Sequence, residues 1–413
     1  MGEWLQFPLG ALVENLDARR VPLSSREREK RPGPFPYYGA TGVMDYIDDF
    51  LFEGLHLLVA EDGSVERPDG KPFVQLVTGQ FWVNNHAHVL RGENDQETKF
   101  LYYVLSTIPI RPYVSGSVQA KLSQANLNRI PIPYPKDKRE RAAIVDTFSA
   151  LDDKIELNRR MNATLEAMAR AIFRDWFVDF GPTRAKMEGR EPYLAPDLWP
   201  LFPARLTDQG IPEGWEMGTL GDVAESPRRG VKPSEIPEHT PYIGLEHMPR
   251  RSIALSEWEG AGKVTSNKSA FRKGEFLFGK LRPYFHKVGV APVDGICSTD
   301  IVVVRPKRKE WSAYTLACIS SDDFVEFTNA ASTGTKMPRT SWKVMSAYET
   351  CLGTNEVVAA YQRIVAPMIE RIIANIHESR TLAQTRDLLL PRLMSGELRV
   401  AEAEAEKIVE GGV

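Results

Sequence analysis

Cationic and aromatic side chains occur together in residues 280–287, which read KLRPYFHK. The guanidinium of Arg282 can donate two parallel hydrogen bonds to guanine, which is the commonest specific contact between a protein and a DNA base. Lys280 adds a second cation, and Tyr284 or His286 can stack on a base or position it. The same residues also suit a solvated β-turn, so the segment is either a nucleic-acid contact or an ordinary turn.

Two short loops share a glycine that is followed seven residues later by a serine. Glycine lets the backbone approach a ligand closely, while hydroxyl groups and backbone amides can bind phosphate oxygens. An ordinary polar turn before a strand is the alternative interpretation, but the recurrence of the pattern favours contact with a nucleic-acid backbone. The candidate residues are Gly116, Ser117, Lys121, Ser123, Gly334, Thr335, Lys336, Arg339 and Ser341.

Residues 84–88 (NNHAH) contain two histidines separated by one residue, which would lie on the same side of a strand. A metal site requires a third ligand, and the neighbouring sequence offers no obvious one. A structural pair, a DNA contact and a metal site therefore remain alternatives, in that order of preference.

Catalytic motifs are not evident in the sequence. Asp62 with Asp69, and Asp322 with Asp323, lack the Glu-x-Lys context that metal-dependent DNA cleavage requires. There is no glycine-rich phosphate loop and no Asn-Pro-Pro-Tyr motif, and three scattered cysteines do not form a zinc site. We therefore expect no catalytic residue, no metal and no cofactor, and catalysis with S-adenosylmethionine would have to come from a partner.

Two long helices must position these candidates. Between residues 137 and 176, a seam of residues spaced alternately four and three apart is typical of a coiled coil. Adding 217 to each number gives a second seam near the C-terminus, in which eight of ten pairs match in polarity. The central seam residues are Leu151, Ile155, Asn158, Leu165, Met368, Ile372, Asn375 and Leu382. Pro367 is expected to kink the second helix or delay its regular part, and Pro391 with Gly396 to stop it.

Shorter echoes extend the repeat over the chain, for example residues 36–39 (PYYG) against 241–244 (PYIG). Short β-type runs broken by turns precede each helix, so each copy is predicted to be a mixed α/β globule. The predicted divisions are residues 1–136 (first globule), 137–180 (first helix), 181–213 (an extended proline-rich linker), 214–353 (second globule), 354–396 (second helix) and 397–413 (acidic tail).

An apolar seam needs a partner helix, and the chain itself supplies one. An antiparallel pair places the two globules at opposite ends of a rod, whereas a parallel pair crowds them at one end. Asn158 and Asn375 lie in the middle of the seam, where a buried layer of the two amides would fix the register. The alternative is that both are core helices of one globular domain, which the internal repeat disfavours.

At the place corresponding to residues 280–284, the first copy has residues 60–64 (AEDGS), which are acidic. Acidic side chains can accept a hydrogen bond from cytosine but repel phosphates, so we expect the two globules to read different half-sites. The whole chain has a net charge of −3, but residues 215–345 contain 19 basic against 15 acidic side chains. Without a long apolar run or a signal-peptide pattern, a cytoplasmic protein is expected.

Four segments carry a family resemblance: residues 153–158 (DKIELN), 173–177 (FRDWF), 212–215 (PEGW) and 388–398 (LLLPRLMSGEL). With the two-copy layout, they resemble the specificity subunit of type I restriction-modification enzymes over essentially the whole chain. The resemblance implies two target recognition domains, which read a bipartite sequence on double-stranded DNA. It also implies helical spacers that bind two methyltransferase (modification) subunits, restriction subunits (endonuclease/translocase) that join this core, and no catalysis by the chain itself.

The expected fold class is therefore α+β, with two mixed α/β domains separated by a pair of long antiparallel coiled-coil helices and an internal pseudo-twofold repeat. The alternative function is a non-catalytic, two-headed adaptor that binds proteins and for which DNA is irrelevant. A self-sufficient nuclease is rejected because the carboxylates that it would need are missing.

Overall fold

The computed structural model describes residues 4–116, 119–332, 334 and 337–398. The chain divides into two compact units, one formed by Met1–Asp153 with Leu382–Val413 and the other by Lys154–Thr381. Each unit therefore contains part of both long helices. Among the described residues, no helix has the length and apolar character that would let it cross a membrane.

The first half of the chain begins and ends with paired strands and carries three helices before the long one. Its strands are β1 (Trp4–Pro8), β2 (Glu14–Asn15), β3 (Pro32–Tyr38), β4 (Val43–Ile47), β5 (Phe52–Glu53), β6 (His56–Ala60), β7 (Val74–Val77), β8 (Gln80–Val83), β9 (Ala87–Arg91) and β10 (Pro131–Pro135). Its helices, within the part that the structure describes, are α1 (Ser25–Glu29), α2 (Asp95–Leu105), α3 (Gln124–Asn128) and the long α4 (Lys138–Phe173).

The second half has a corresponding set of elements. Its helices, again within the described residues, are α5 (Gly181–Met187), α6 (Leu220–Val223), α7 (Ser312–Ile319), α8 (Asp322–Ala330), α9 (Trp342–Met345) and the long α10 (Asn355–Met394). Its strands are β11 (Glu216–Thr219), β12 (Ala224–Glu225), β13 (Gly230–Val231), β14 (Pro241–Ile243), β15 (Glu259–Gly260), β16 (Lys268–Phe271), β17 (Phe276–Gly279), β18 (Val288–Val290), β19 (Gly295–Cys297), β20 (Ile301–Pro306) and β21 (Glu349–Leu352).

The sheets of the two halves have corresponding strand orders. In the first half one sheet runs β2-β9-β6-β7 and the other β4-β3-β8-β5. In the second half they run β12-β20-β17-β18 and β15-β14-β19-β16-β13, in which β13 is an additional edge strand. In both halves one parallel pair interrupts otherwise antiparallel sheets, namely β3 with β8 and β14 with β19. The pairing of β1 with β10 is repeated by that of β11 with β21. The shared topology confirms the α+β class and the internal repeat.

The central strand of each half is an apolar run that is buried along its whole length: HLLVA in β6 and FLFG in β17. Such a run needs cover on both faces. In the first half, α2 supplies Phe100 and Val104 to the core that also contains Phe148 of α4 and Leu393 of α10. The long helices are thus part of the domain cores as well as partners of each other.

The two long helices pair in an antiparallel manner. In the second unit, Asn162 accepts a hydrogen bond from Asn375 at 2.8 Å, and the Tyr361 hydroxyl donates to the Ala169 carbonyl at 3.0 Å. Because the residue number falls along α10 as it rises along α4, the helices run in opposite directions. The antiparallel pair is thereby confirmed.

The predicted layer formed by Asn158 and Asn375 is wrong in its register. Asn158 donates to Ser379 at 3.2 Å and to Glu378 at 2.9 Å, whereas Asn375 meets Asn162. Asn158 and Asn375 are equivalent positions of the internal repeat. In an antiparallel helix pair, however, two equivalent residues face each other only if they lie at the centre of the pair. The structure therefore has two polar layers instead of one.

The second helix passes through both of its prolines. It begins at Asn355, just after Thr354, whose hydroxyl caps it, and it continues to Met394. The regular part is therefore not delayed by Pro367, and Pro391 does not end the helix. Gly396 lies two residues beyond the helix, and its φ of 73° is the left-handed conformation that closes a helix at little cost for glycine.

The proline-rich segment 181–213 is more ordered than the predicted extended linker. It begins with α5, in which Pro182 occupies the first turn, where its missing N–H costs nothing. Further along, Leu198, Phe202 and Ile211 join the core of the second unit. Composition alone indicated a linker because the apolar residues between the prolines have no helical or strand period.

Paired cysteines provide a test of the helix register. We expect Asn158→Cys with Ser379→Cys, and Asn162→Cys with Asn375→Cys, to form disulfides, because each pair of side chains is in contact. Asn158→Cys with Asn375→Cys should link much less. The measurement is mobility on a non-reducing gel after proteolysis between the helices, with the parent protein as control. Preferential linking of Asn158→Cys with Asn375→Cys would contradict the register.

Candidate nucleic-acid interface

Three loops meet in the first half of the chain, and we call their described residues, 60–64, 84–87, 115–116 and 119–123, the first loop cluster. Backbone hydrogen bonds join them: Glu61 N–H donates to the His86 carbonyl at 2.8 Å, Leu122 N–H to the Glu61 carbonyl at 2.8 Å, and Gly63 N–H to the Ala120 carbonyl at 3.1 Å. The glycine loop and the acidic segment, which are far apart in sequence, therefore form one surface.

The second half forms the same arrangement from residues 279–284, 298–301, 334 and 337–341, which we call the second loop cluster. Lys280 N–H donates to the Asp300 carbonyl at 2.9 Å, Thr340 N–H to the Lys280 carbonyl at 3.0 Å, and Arg282 N–H to the Pro338 carbonyl at 2.8 Å. The three bonds correspond one to one with those of the first loop cluster. The structure thus brings together the candidate residues around 280–284 and those around 334–341.

The two candidate glycines have conformations that other residues rarely adopt. Gly116 has a φ of 94° and Gly334 a φ of 99°. A Cβ on Gly116 would lie 2.1 Å from the Gln119 carbonyl oxygen, and one on Gly334 would lie 3.1 Å from that of Met337. Both loops therefore depend on glycine for their shape. Ser117, Val118, Thr333, Thr335 and Lys336 lie outside the described residues, as does the acidic tail beyond Leu398.

The two candidate serines have a structural function. The Ser123 hydroxyl accepts a hydrogen bond from Asn126 N–H at 3.3 Å, and the Ser341 hydroxyl accepts one from Val344 N–H at 3.4 Å. Each serine therefore caps the short helix that follows its loop, α3 or α9. Contact of these serines with DNA stays a prediction.

The first loop cluster carries charged side chains that are paired with one another. Lys121, which is 53% exposed, lies 3.4 Å from the carboxylate of Glu61, and Arg20 donates to the same carboxylate at 2.8 Å. His86 Nδ1 lies 2.6 Å from Asp62. Glu61 is therefore neutralised by two cations. His86 and Lys121 are exposed, whereas the Asp62 side chain is only 20% exposed.

The two histidines of residues 84–88 have different environments. His88 is buried, with Nδ1 2.6 Å from Asp17 and Nε2 2.7 Å from the Leu122 carbonyl. Burial raises the pKa of Asp17, but the hydrogen bond and charge of His88 together with the Val89 amide outweigh it and hold that pKa below its usual value. His88 is thus a structural residue beneath the glycine loop, whereas His86 is exposed.

Two acidic side chains do lie near His88, contrary to the expectation from sequence. Asp17, Glu61 and His88 place their ligand atoms within 4.8 Å of one another. However, Arg20 lies 3.5 Å from Asp17 and 2.8 Å from Glu61, and both ring nitrogens of His88 already have partners. The group is a hydrogen-bonded ion network, and the donor set that it leaves does not suit a metal ion.

In the second loop cluster the candidate side chains divide into accessible and buried ones. Tyr284 is 49% exposed beside the ring of Phe285, which makes it available for stacking. His286 is buried, with Nε2 3.0 Å from the Ser320 carbonyl, and so cannot stack on a base. Arg282 has a left-handed φ of 50°, and its buried Nε has no hydrogen-bond partner among the described residues. Lys280 is half-buried.

Sequence reasoning missed two further cations beside residues 280–287. The Arg250 guanidinium lies 4.1 Å from the ring centre of Phe285. Arg251, with a φ of 55°, donates its N–H to the His286 carbonyl and a side-chain hydrogen bond to Asp322. No motif marks these arginines, because they reach the cluster through the tertiary fold. Asp300 was also missed; it lies 3.5 Å from Arg339.

The predicted seam residues are buried or half-buried. Leu151, Asn158, Ile372 and Asn375 are buried, while Ile155, Leu165, Met368 and Leu382 are half-buried. Arg386 is the position of the second helix that is equivalent to Ala169 in the first, and it differs from Ala169 in polarity. Its side chain makes a 2.6 Å ion pair with Asp152 in the first unit, so this departure from the repeat is a specific contact between the helices.

Removing the serine caps tests this description of the loops. Ser123→Ala and Ser341→Ala should each lower the free energy of unfolding by ~1 kcal/mol, because an N–H at the start of α3 or α9 loses its acceptor. Ser→Asp at either position should retain most of the stability, since aspartate also caps helices. Urea unfolding followed by circular dichroism measures both; unchanged stability in the alanine variants would show that the caps contribute nothing.

Comparison with known proteins gives a consistent result. Residues 1–167 match the family model described as the type I restriction modification DNA specificity domain. A putative type I restriction enzyme specificity subunit of Haemophilus influenzae is 36% identical over 151 residues, which are 36% of this chain and 38% of that protein. The MjaIX specificity subunit of Methanocaldococcus jannaschii is 25% identical over 327 residues, covering 74% of this chain and 70% of that protein.

A solved structure supports the fold. The specificity subunit of a type I restriction-modification system from M. genitalium superposes with a TM-score of 0.56 and 17% identity, covering 95% of this chain and 96% of that one. At this identity the likeness bears on the fold alone. Together with the sequence matches, it confirms the resemblance that the motifs indicated.

Proposed function

We propose that this chain, a relative of the type I restriction specificity subunits, is the DNA-recognition subunit of such a complex. Its two α/β domains would each read one half of a bipartite site on double-stranded DNA. The chain would be non-catalytic and would recruit two methyltransferase subunits, which modify the DNA, and restriction subunits, which cleave it.

The observation that carries the proposal is the repetition of one backbone arrangement with different side chains. The two loop clusters share three corresponding backbone hydrogen bonds, a glycine with positive φ and a capping serine. Yet the first presents Glu61 and Asp62 where the second presents Lys280 and Leu281. A protein that reads two unlike half-sites needs this combination, because the scaffold positions the chain on DNA while the side chains select bases.

The long helices have the features of a docking surface for other subunits. Their paired faces are apolar, but Leu157 and Met168 on α4 are 45% and 47% exposed, and Leu388 on α10 is 66% exposed. Contiguous exposed apolar patches mark protein–protein contacts, and these side chains are candidates for such a patch. These faces are the proposed contact with the methyltransferase subunits.

Three of the four carboxylates that were considered for cleavage have other partners. Asp322 pairs with Arg251 at 2.8 Å, Asp69 lies 3.5 Å from Lys71, and Asp62 lies 2.6 Å from His86 Nδ1. Each of these three therefore neutralises a cation or orients a ring. This arrangement supports catalysis by partner subunits instead of by this chain.

Co-expression with a methyltransferase subunit tests the proposed function. The two proteins should co-purify, and the complex should methylate adenines within one split DNA sequence. Methylome sequencing of the host with and without the gene would identify that sequence. Failure to co-purify with any methyltransferase, or methylation without sequence preference, would contradict the proposal.

Salt dependence of DNA binding separates this function from that of a protein-binding adaptor. The affinity should fall steeply with salt, and Lys121→Ala or Lys280→Ala should reduce the slope of log K against log salt by about 1 each, since each removes one phosphate contact. Lys71→Ala is the matched control, because Lys71 lies beside Asp69 and lines a cavity with Arg386 of α10, away from the loops. An adaptor would show no such binding.

A further inference from the structure

The turn between β8 and β9 and the turn between β19 and β20 are built in the same way. The Asn84 side chain accepts the N–H of His86 at 2.8 Å, and the Ser298 hydroxyl accepts the N–H of Asp300 at 3.2 Å. The N–H of Asn84 donates to Tyr38, and that of Ser298 to Ile243, each at 3.0 Å. His86 and Asp300 therefore occupy the same position in the two domains.

Two further positions correspond in the same way. Asp62 and Lys121 form an isolated antiparallel bridge in the first domain, and Leu281 and Arg339 form the corresponding bridge in the second. At three equivalent positions, the first domain thus has histidine, aspartate and lysine, whereas the second has aspartate, leucine and arginine.

In each domain a carboxylate at one of these three positions orients an exposed side chain at another of them. The position that supplies the carboxylate differs between the two domains. His86, 47% exposed, is held through Nδ1 by Asp62 at 2.6 Å. Arg339, 53% exposed, is held by Asp300 at 3.5 Å. A charged partner that fixes the orientation of a base-reading group reduces the entropy lost on binding.

His86 also lines an open cleft in the first domain. Residues 39–44 form one side and residues 62–64 the other, with Asn84 beside His86, and the volume is about 370 Å³. Met44, which is 55% exposed, adds an apolar side chain at the rim. A cleft lined by both polar and apolar side chains suits the edge of a base pair, which offers hydrogen-bonding groups and, on thymine, a methyl group.

We propose that His86 and Arg339 are specificity-determining residues of the two half-sites, with Asp62 and Asp300 as positioning residues; this rests on the proposed function. The Asp62 carboxylate can only accept, so Nδ1 of His86 carries a proton, and in the neutral ring Nε2 offers a lone pair. In that form His86 accepts from the exocyclic amine of adenine or cytosine. Arg339 has only donors and pairs with O6 and N7 of guanine.

The test uses the complex of the full chain with its methyltransferase on a library of DNA sites randomised at each position of the motif. His86→Ala should relax the preference at one position of the first half-site by roughly 10-fold and leave the second half-site unchanged. Arg339→Lys should relax a guanine position of the second half-site alone, because an ammonium group cannot form the two parallel bonds. Asp62→Asn and Asp300→Asn should weaken the same two preferences to a smaller extent.

Lys71→Ala and Arg305→Ala, which alter cations paired elsewhere in the first and second halves, should leave every position unchanged. The proposal is overturned if the His86 and Arg339 variants retain every base preference, or if they reduce methylation of all sequences equally, as loss of a phosphate contact or of folding would do. If the unaltered complex selects no split sequence, the proposed function itself fails, and that result is distinct from a failure of these residues.

Discussion

The two buried polar layers between the long helices are the contacts on which the arrangement of the helix pair depends. Asn158 and Asn375 are almost completely buried, and each donates its amide N–H₂ across the pair, to Ser379 and Glu378 in one layer and to Asn162 in the other. A slip of the helices would break these hydrogen bonds, and each buried amide N–H₂ group left without an acceptor would cost about 1–3 kcal/mol. The layers therefore favour the observed register.

The same register determines what the helices present to the domain cores. In the second unit, Glu166 of α4 accepts the N–H of Ile253 at 3.0 Å and the hydroxyl of Ser252 at 3.2 Å. The segment that Glu166 holds continues directly from Arg250 and Arg251, the cations beside residues 280–287. In the first unit, the Asp152–Arg386 pair joins the other ends of the helices. Position along the helices is thus linked to the placement of the candidate contact residues within each unit.

Much of this architecture follows from the sequence. The four-three spacing predicted both helices, and the short sequence matches between the halves indicated two copies. Both signals remain readable because period and order survive substitution of individual residues. The pairing of the Asn layers did not follow, since equivalence in a repeat is not contact across an antiparallel pair. Pro391 does not end α10 as predicted, because it lies in the last turn, where few backbone bonds remain to be lost.

The candidate site was only partly predictable. The glycine loops were identified because their pattern recurs in both halves, and the 280–287 segment because its cations and aromatic rings suit nucleic acid. The burial of His286, and the roles of Asp300, Arg250 and Arg251, depend on contacts between segments far apart in sequence. No local pattern reports such contacts. His86 and His88 illustrate the same limit, because two histidines of one short motif have opposite exposure.

Hydrogen exchange of the methyltransferase complex, with and without DNA carrying its recognition sequence, tests the central claim most directly. We expect DNA to slow exchange at the backbone amides of both loop clusters. DNA lacking one half-site should protect only one of the two clusters. Protection confined to other parts of the domains, or none in either cluster, would contradict the assignment of these loops as the surfaces that read DNA.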